Sequence, residues 1–147
     1  MPMSREDLLA FVRKHRYGVV ASVGPQGRPQ AALVGFVAND ACELFFDSFT
    51  STRKVGNLRA DPRVAVVIGG ATPGDERTVQ YEGIVDEPSG KVLEQFQKQY
   101  FADLHDGKRR SKLPGILYFR VRPRWIRYAD FNVNPPRIEE FSADALR

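Results

Sequence analysis

Two stretches of this chain offer no polar face. Ala31 to Val37 reads AALVGFV and Val64 to Ile68 reads VAVVI. Both are short, apolar and bounded by turn residues, which marks strands buried on both sides. A strand in a lone barrel keeps one face for water, so an all-apolar strand needs a second surface to cover it. This requirement is the tightest limit that the sequence sets. It points to a sheet closed on itself and covered again from outside by a second copy of the chain, hence to an obligate homodimer.

The rest of the chain supplies the strands for such a sheet. Ser4 can cap a first helix, with Asp7 as the acid three residues later and Leu8, Leu9, Phe11 and Val12 as its apolar stripe. The helix ends near His15-Arg16. Tyr17 to Val23 is a strand, Gly24-Pro25-Gln26-Gly27 a turn, and Gln30 to Val37 a second strand, which together make a hairpin. Asn39-Asp40 turns the chain into a third strand, Glu43 to Asp47, so the opening reads as an antiparallel meander. Thr52 caps a short helix that stops at Asp61-Pro62, because a residue before proline is pushed out of the helical region.

Arg63 to Ile68 is strand four and Thr78 to Asp86 strand five, alternating at Val79, Tyr81, Gly83 and Val85. A third helix opens at Pro88-Ser89 and buries Val92, Leu93, Phe96, Tyr100, Phe101 and Leu104. His105 to Pro114 reads as a basic, mobile loop. Ile116 to Arg122 is strand six; Pro123 interrupts it, and Trp125 to Asp130 continues as an edge or bent strand. Six or seven strands and about three helices make a mainly β, α+β barrel with helical lids.

A chain of 147 residues fits one domain, 1–147, with residues 132–147 as a tail extending from the barrel. Cys42 is the single cysteine, so no intrachain disulfide can form. No apolar run reaches the roughly 18 residues of a membrane-spanning helix. The polar start, Met1 to Asp7, lacks the apolar stretch of a signal peptide, and a cytoplasmic location is expected. The net charge of +4 attracts anions, either nucleic acid or a phosphorylated cofactor. Basic residues are spread along the chain and not gathered with aromatics on one face, so nucleic acid is the weaker candidate.

The segment with most chemistry is Asp47 to Val64, DSFTSTRKVGNLRADPRV. A strand ends, hydroxyl residues follow, and a helix opens on adjacent Arg53 and Lys54. A helix start presents free N–H groups and the positive end of its dipole, arginine adds a planar fork, and lysine a mobile point charge. With Ser51 and Thr52 as hydroxyl donors these parts make a phosphate cradle. The same residues also describe an ordinary capped helix with solvated charges.

The GRPQ turn into an apolar strand, then FFDSFTSTRKVGNLRADPRVAVVI, TVQYEG and PGILYFRVRPRWIRYADFN, resemble the pyridoxamine 5'-phosphate oxidase-like flavoproteins over about Ser4 to Phe141. The resemblance implies an FMN-binding split β-barrel, with FMN in a groove at a homodimer interface and touched by both subunits. By position, Arg53 and Lys54 resemble the residues that grip the FMN phosphate, and Ser51 and Thr52 its hydroxyl donors. Asp47 and Ser48 fall where the third strand meets the cofactor. Leu33 and Val34 match strand-two positions along the isoalloxazine ring. Thr78 and Gln80 lie at or near a contact on strand five. Trp125, Arg127 and Tyr128 match the region that reaches the partner's flavin. Two features depart from the true oxidases: the tail lacks their Arg-x-His motif, and Ala32 and Val37 replace strand-two basic residues. A substrate other than pyridoxine phosphate is implied.

The implied function is an FMN-dependent oxidoreductase of unknown substrate, with catalytic residues unassigned. The alternatives are a flavin, deazaflavin or haem binding module without turnover, and a basic barrel that binds nucleic acid. No metal site is expected, since neither His15 nor His105 has a second cluster of ligands beside it. Cys42 reads as a packed residue and not as a nucleophile.

Overall fold

The computed structural model describes residues 1–147. In chain order the elements are α1 (Arg5–Arg13), β1 (Tyr17–Val23), β2 (Pro29–Gly35), β3 (Val37–Ala38), β4 (Leu44–Phe49), α2 (Arg53–Ala60), β5 (Arg63–Gly69), β6 (Arg77–Asp86), α3 (Gly90–Asp103), α4 (His105–Arg110), β7 (Ile116–Asp130) and β8 (Arg137–Ser142). Ser4 and Asp7 form the expected capping box at the start of α1, which buries Leu8, Phe11 and Val12.

The strands make one curled antiparallel sheet in the order β2-β1-β5-β6-β7-β4-β3, with β8 paired to β7. Both ends of that path come from one stretch of chain, because only Phe36 separates β2 from β3. The sheet therefore closes where β3 meets β4, through Val37 opposite Phe45 and Ala38 opposite Leu44. Past that point β2 pairs only with β1 and diverges from β4. The result is an α+β split barrel, closed at one end and open along one seam.

The expected single strand Gln30 to Val37 is thus two strands with a bend at Phe36. The bend is fixed from both sides. Phe36 N–H donates to the Arg16 carbonyl at 2.9 Å, and the Tyr100 hydroxyl donates to the Gly35 carbonyl at 3.4 Å. The expected meander holds only at the bend, where Val37 pairs with Phe45; past it β4 runs beside β7 and not beside β2. Residue patterns show which segments are strands but carry no record of which edge each one joins.

Alternation on β6 is as expected: Val79, Tyr81 and Val85 are buried in the barrel. The Tyr81 hydroxyl donates to the Cys42 carbonyl at 2.8 Å, with the Val121 carbonyl 3.2 Å away. Cys42 is buried, and burial pushes its thiol up to about 11. Pro123 does not break its strand. It sits opposite Gly83 at a register shift between Glu82 and Gly83, where a missing N–H costs the ladder nothing. Nor is the end of β7 an edge, because β8 covers Trp125 to Asp130.

The segment 105–114, expected as a loop, begins with α4. Gly107 permits this: a Cβ there would fall 2.6 Å from the Tyr100 ring, so only glycine lets α4 fold back on α3. On the outside of β3 and β4, α3 lays Phe96 and Tyr100 over Phe45, with Phe45 and Phe96 stacked at 4.5 Å. Val37 belongs to this second cluster, so α3 provides part of the outer cover. It does not cover Leu33 and Val67, which stay 67% and 46% exposed.

Gly83 is the most constrained point of the sheet. A Cβ there would lie 2.6 Å from the Arg122 carbonyl oxygen and 2.7 Å from the Val121 side chain. Gly83→Ala is expected to destabilise the protein by about 1–3 kcal/mol, since backbone must move to make room. Urea unfolding would show it as a lower midpoint, and an unchanged midpoint would refute the packing argument.

Candidate functional site

The seam between β2 and β4 holds a cavity of about 410 Å³. Leu33, Val34 and Gly35 of β2 form one wall and Asp47, Ser48 and Phe49 of β4 the other. Along this stretch β2 and β4 do not pair with each other, so backbone groups on their facing edges are open to a ligand, apart from the Gly35 and Phe49 carbonyls, which accept from Tyr100 and Thr52. Thr52 and Lys54, together with Arg16, Tyr17, Leu104, His105, Asp106 and Arg110, complete the lining.

Helix α2 is placed by hydroxyl chemistry. Ser48 Oγ lies 3.0 Å from Thr52 Oγ1, and Thr52 Oγ1 donates to the Phe49 carbonyl at 3.0 Å. Thr52 therefore spends its hydroxyl on β4, and no side chain caps the first turn of α2. The sequence suggested a Thr52 cap; the residue occupies the N-cap position without making the capping bond. Free N–H groups remain at the start of the helix beside the cavity.

Lys54 is buried to 9% exposure and forms no ion pair; its Nζ lies 6.0 Å from the centre of the Phe46 ring. Burial lowers its pKa below the ordinary lysine value, with the charge of Asp47 acting against the shift. Asp47 is instead paired with Arg110, at 3.1 Å and with 9% of the aspartate side chain exposed. Arg110 also donates to the Tyr100 hydroxyl at 3.4 Å. Burial, together with Asp47, pushes that hydroxyl well above the usual phenol range, while Arg110 pulls the other way. This chain of bonds ties α4 and α3 to β4 across the mouth of the cavity.

The cavity thus gathers six of the residues singled out from the sequence: Leu33, Val34, Asp47, Ser48, Thr52 and Lys54. Ser51 and Arg53 are exposed beside it and do not line it. Thr78, Gln80, Trp125 and Arg127 lie elsewhere, on the outer face of the sheet. Gln80 pairs with Arg127, and Thr78 donates to the Ile68 carbonyl at 3.4 Å. Tyr128 points inward and packs edge-on against Phe11 at 5.3 Å, so it is a core residue and does not reach outward as the resemblance implied. Arg16, Tyr17 and Leu104 were missed as site residues, and His105 and Arg110 were read only as parts of the loop 105–114. Each enters through a tertiary approach, α4 folding onto α3 or the end of α1 meeting the bend at Phe36, and no local pattern announces that.

A split barrel with a cation-bearing pocket in its seam is the class that fold and site define. Residues 4–130 match the family model for pyridoxamine 5'-phosphate oxidase, and the chain belongs to that family. No curated protein matches it in sequence. A haem binding protein from Mycobacterium smegmatis superposes with a TM-score of 0.84 at 17% identity, over 99% of this chain and 60% of its own. The present chain therefore spans about three-fifths of that protein. A pyridoxamine 5'-phosphate oxidase-related, FMN binding protein from Nostoc punctiforme PCC 73102 has a TM-score of 0.70 at 16% identity, covering 94% and 85% of the two chains. HutZ, a haem storage protein from Vibrio cholerae, has a TM-score of 0.70 at 19% identity, covering 83% and 92%. At these identities the likeness speaks for the fold.

The ammonium of Lys54 is partly desolvated and has no ion pair, which opposes folding. Lys54→Met is therefore expected to raise the melting temperature of the ligand-free protein. The sign with pH follows from linkage. The folded pKa is lowered, so the unfolded chain holds more protons up to its ordinary 10.5 and wild-type stability rises with pH across that window. The advantage of the Met variant should shrink as pH rises towards 10.5. A variant less stable than wild type at neutral pH would show that the ammonium is already satisfied.

Proposed function

We propose that the chain binds FMN in the seam and works as a homodimeric oxidoreductase. The observation that carries this reading is the meeting of two anion-seeking features in one pocket: the uncapped start of α2 and the buried, unpaired Lys54. A phosphate monoester satisfies both, through backbone N–H groups and a charge-assisted bond. The pocket also lies within the roughly 300–1,000 Å³ range usual for small-ligand sites.

The residues then divide the work. The first turn of α2 and Lys54 would hold the phosphate, with Arg53 adding long-range attraction from the surface. The free edges of β2 at Leu33–Gly35 and β4 at Asp47–Phe49 would bond the polar rim of the ring. Leu104 would shield one side from water. Bound FMN supplies hydride or electron transfer. Arg110 and Asp47 neutralise each other, so the ring edge would meet a dipole and not a net charge.

Dimerisation rests on the outer face. Leu33, Val19, Val67, Gln80, Arg127 and Glu140 are cross-strand neighbours in one row over β2, β1, β5, β6, β7 and β8. Its apolar half is exposed. Arg127 stands four strands from Leu33, about 19 Å at roughly 4.8 Å per strand. An arginine side chain does not span that distance, so Arg127 and Trp125 would meet a cavity only on a two-fold-related copy, where one patch packs on itself.

The two haem-binding relatives motivate a second reading. His105 lines the cavity and could ligate an iron, and a haem propionate could take the anion site in place of a phosphate. Titrating the protein with FMN, riboflavin and haem separates the readings: FMN bound tightly and riboflavin weakly is expected, while haem saturation without flavin binding would replace the proposal. Lys54→Ala should weaken FMN about 10- to 100-fold, the worth of a charge-assisted hydrogen bond, and leave riboflavin little changed. Val67→Glu should yield monomers in sedimentation and release flavin on gel filtration. Monomers that keep FMN at wild-type affinity would rule out a shared site.

A further inference from the structure

Helix α2 stands between two strands that do not pair with each other. Its start is bonded to β4 through Ser48 and Thr52. Its second turn is bonded to the opposite wall through a single side chain. Asn57 is 8% exposed, and its amide nitrogen donates one hydrogen to Ser22 Oγ at 3.2 Å and the other to Gln30 Oε1 at 2.8 Å. Ser22 and Gln30 are cross-strand partners, on β1 and β2. One amide therefore clamps the helix onto a rung of the sheet. The fit is close on the far side too, where the Asn57 oxygen sits 3.1 Å from the place a Cβ would take on Gly24.

The clamp has a geometric consequence. Asn57 is four residues, about one helical turn, from Arg53 at the start of the helix. Gln30 is four residues along β2 from Val34, about 13 Å of strand. The Asn57–Gln30 bond is the direct side-chain link between the element that ends in the anion-seeking turn and the strand whose free edge lines the cavity. A hydrocarbon side chain would fill the same space, but the separation of the two half-sites would then depend on packing alone.

We infer that Asn57 is a positioning residue that sets the spacing between the phosphate half-site and the ring half-site, so that one ligand fills both. This rests on the FMN reading proposed above. A ligand bound at two points gains affinity only when the points stand at the right separation, because the second contact then forms at high effective concentration. Loosening the spacing spares each half-site and removes the gain from joining them. The signature is a loss confined to the ligand that spans both.

The test compares FMN with riboflavin, which lacks the phosphate, and with inorganic phosphate alone. In Asn57→Leu, FMN affinity should fall at least tenfold while riboflavin and phosphate stay within about twofold of wild type. Asn57→Asp should restore the FMN preference, because the Ser22 hydroxyl and a flipped Gln30 amide can both donate to a carboxylate. Gln30→Leu cuts the bond to β2 alone and serves if Asn57→Leu does not fold; it too should lose FMN preferentially. An FMN-to-riboflavin ratio that stays at the wild-type value in these Leu variants, whatever happens to the melting temperature, overturns the inference and leaves the flavin reading in place. A wild-type protein that does not prefer FMN to riboflavin overturns both.

Discussion

At Phe36 the chain stops pairing in one direction and starts in another, and the rest of the molecule follows from that bend. On one side β2 runs with β1; on the other, β3 runs with β4 for two residues and closes the barrel. Between them lies a length of β2 and a length of β4 with unpaired backbone edges. Unpaired peptide groups next to a core are costly unless something bonds them. A sheet can resolve this by closing fully or by exposing the edge to water. Here the edges face a cavity instead, so a ligand can supply the missing bonds.

An open seam would let the barrel gape, and α2 prevents this by bonding to both lips. Thr52 reaches β4, and Asn57 reaches β1 and β2. The helix is thus a brace, and its exposed positive end belongs to the bracing geometry. Thr52 Oγ1 is turned to β4 and accepts no bond from the first turn. The same turn that anchors the helix leaves its N–H groups unused. Lys54 repeats the pattern: its side chain is largely buried without an ion pair, and burial lowers its pKa. On the reading proposed above, an anion site carries its strain before the ligand binds.

How much of this could be read beforehand depended on the range of the interaction. Most strand positions followed from local pattern, though β8, in the stretch expected as a tail, did not, and Ser4 with Asp7 made the capping box that their spacing suggested. The succession of strand end, hydroxyl residues and helix start at Ser48–Lys54 was visible because these parts are consecutive in the chain. The bend at Phe36 was not, because AALVGFV alternates no differently at the point where its partner changes. Pro123 looked like a stop, since its neutrality depends on Gly83 forty residues earlier in the chain. Arg110 was hidden in a segment rich in charge that becomes helical only because Gly107 can rest on Tyr100. Asn57 was recognised only as part of a motif, and its role as a clamp needs Ser22 and Gln30, which the chain places on a different hairpin.

The two-faced strands have two separate covers. For Val37 the cover is α3, built from the same chain, and the requirement is met within one copy. For Leu33, Val19 and Val67 nothing in this chain lies above them, and they form the apolar end of a row whose other end carries Gln80, Arg127 and Glu140. A row graded from apolar to polar cannot be satisfied by stacking like on like over its whole length. Placed against a two-fold copy, the apolar ends meet near the axis and the polar ends fall outward, towards the other copy's seam. Leu33 makes the connection explicit, because it belongs at once to the outer row and to the cavity wall. On the dimer proposed here, burying the patch and completing the pocket are therefore one event, and cofactor affinity and subunit affinity must rise or fall together.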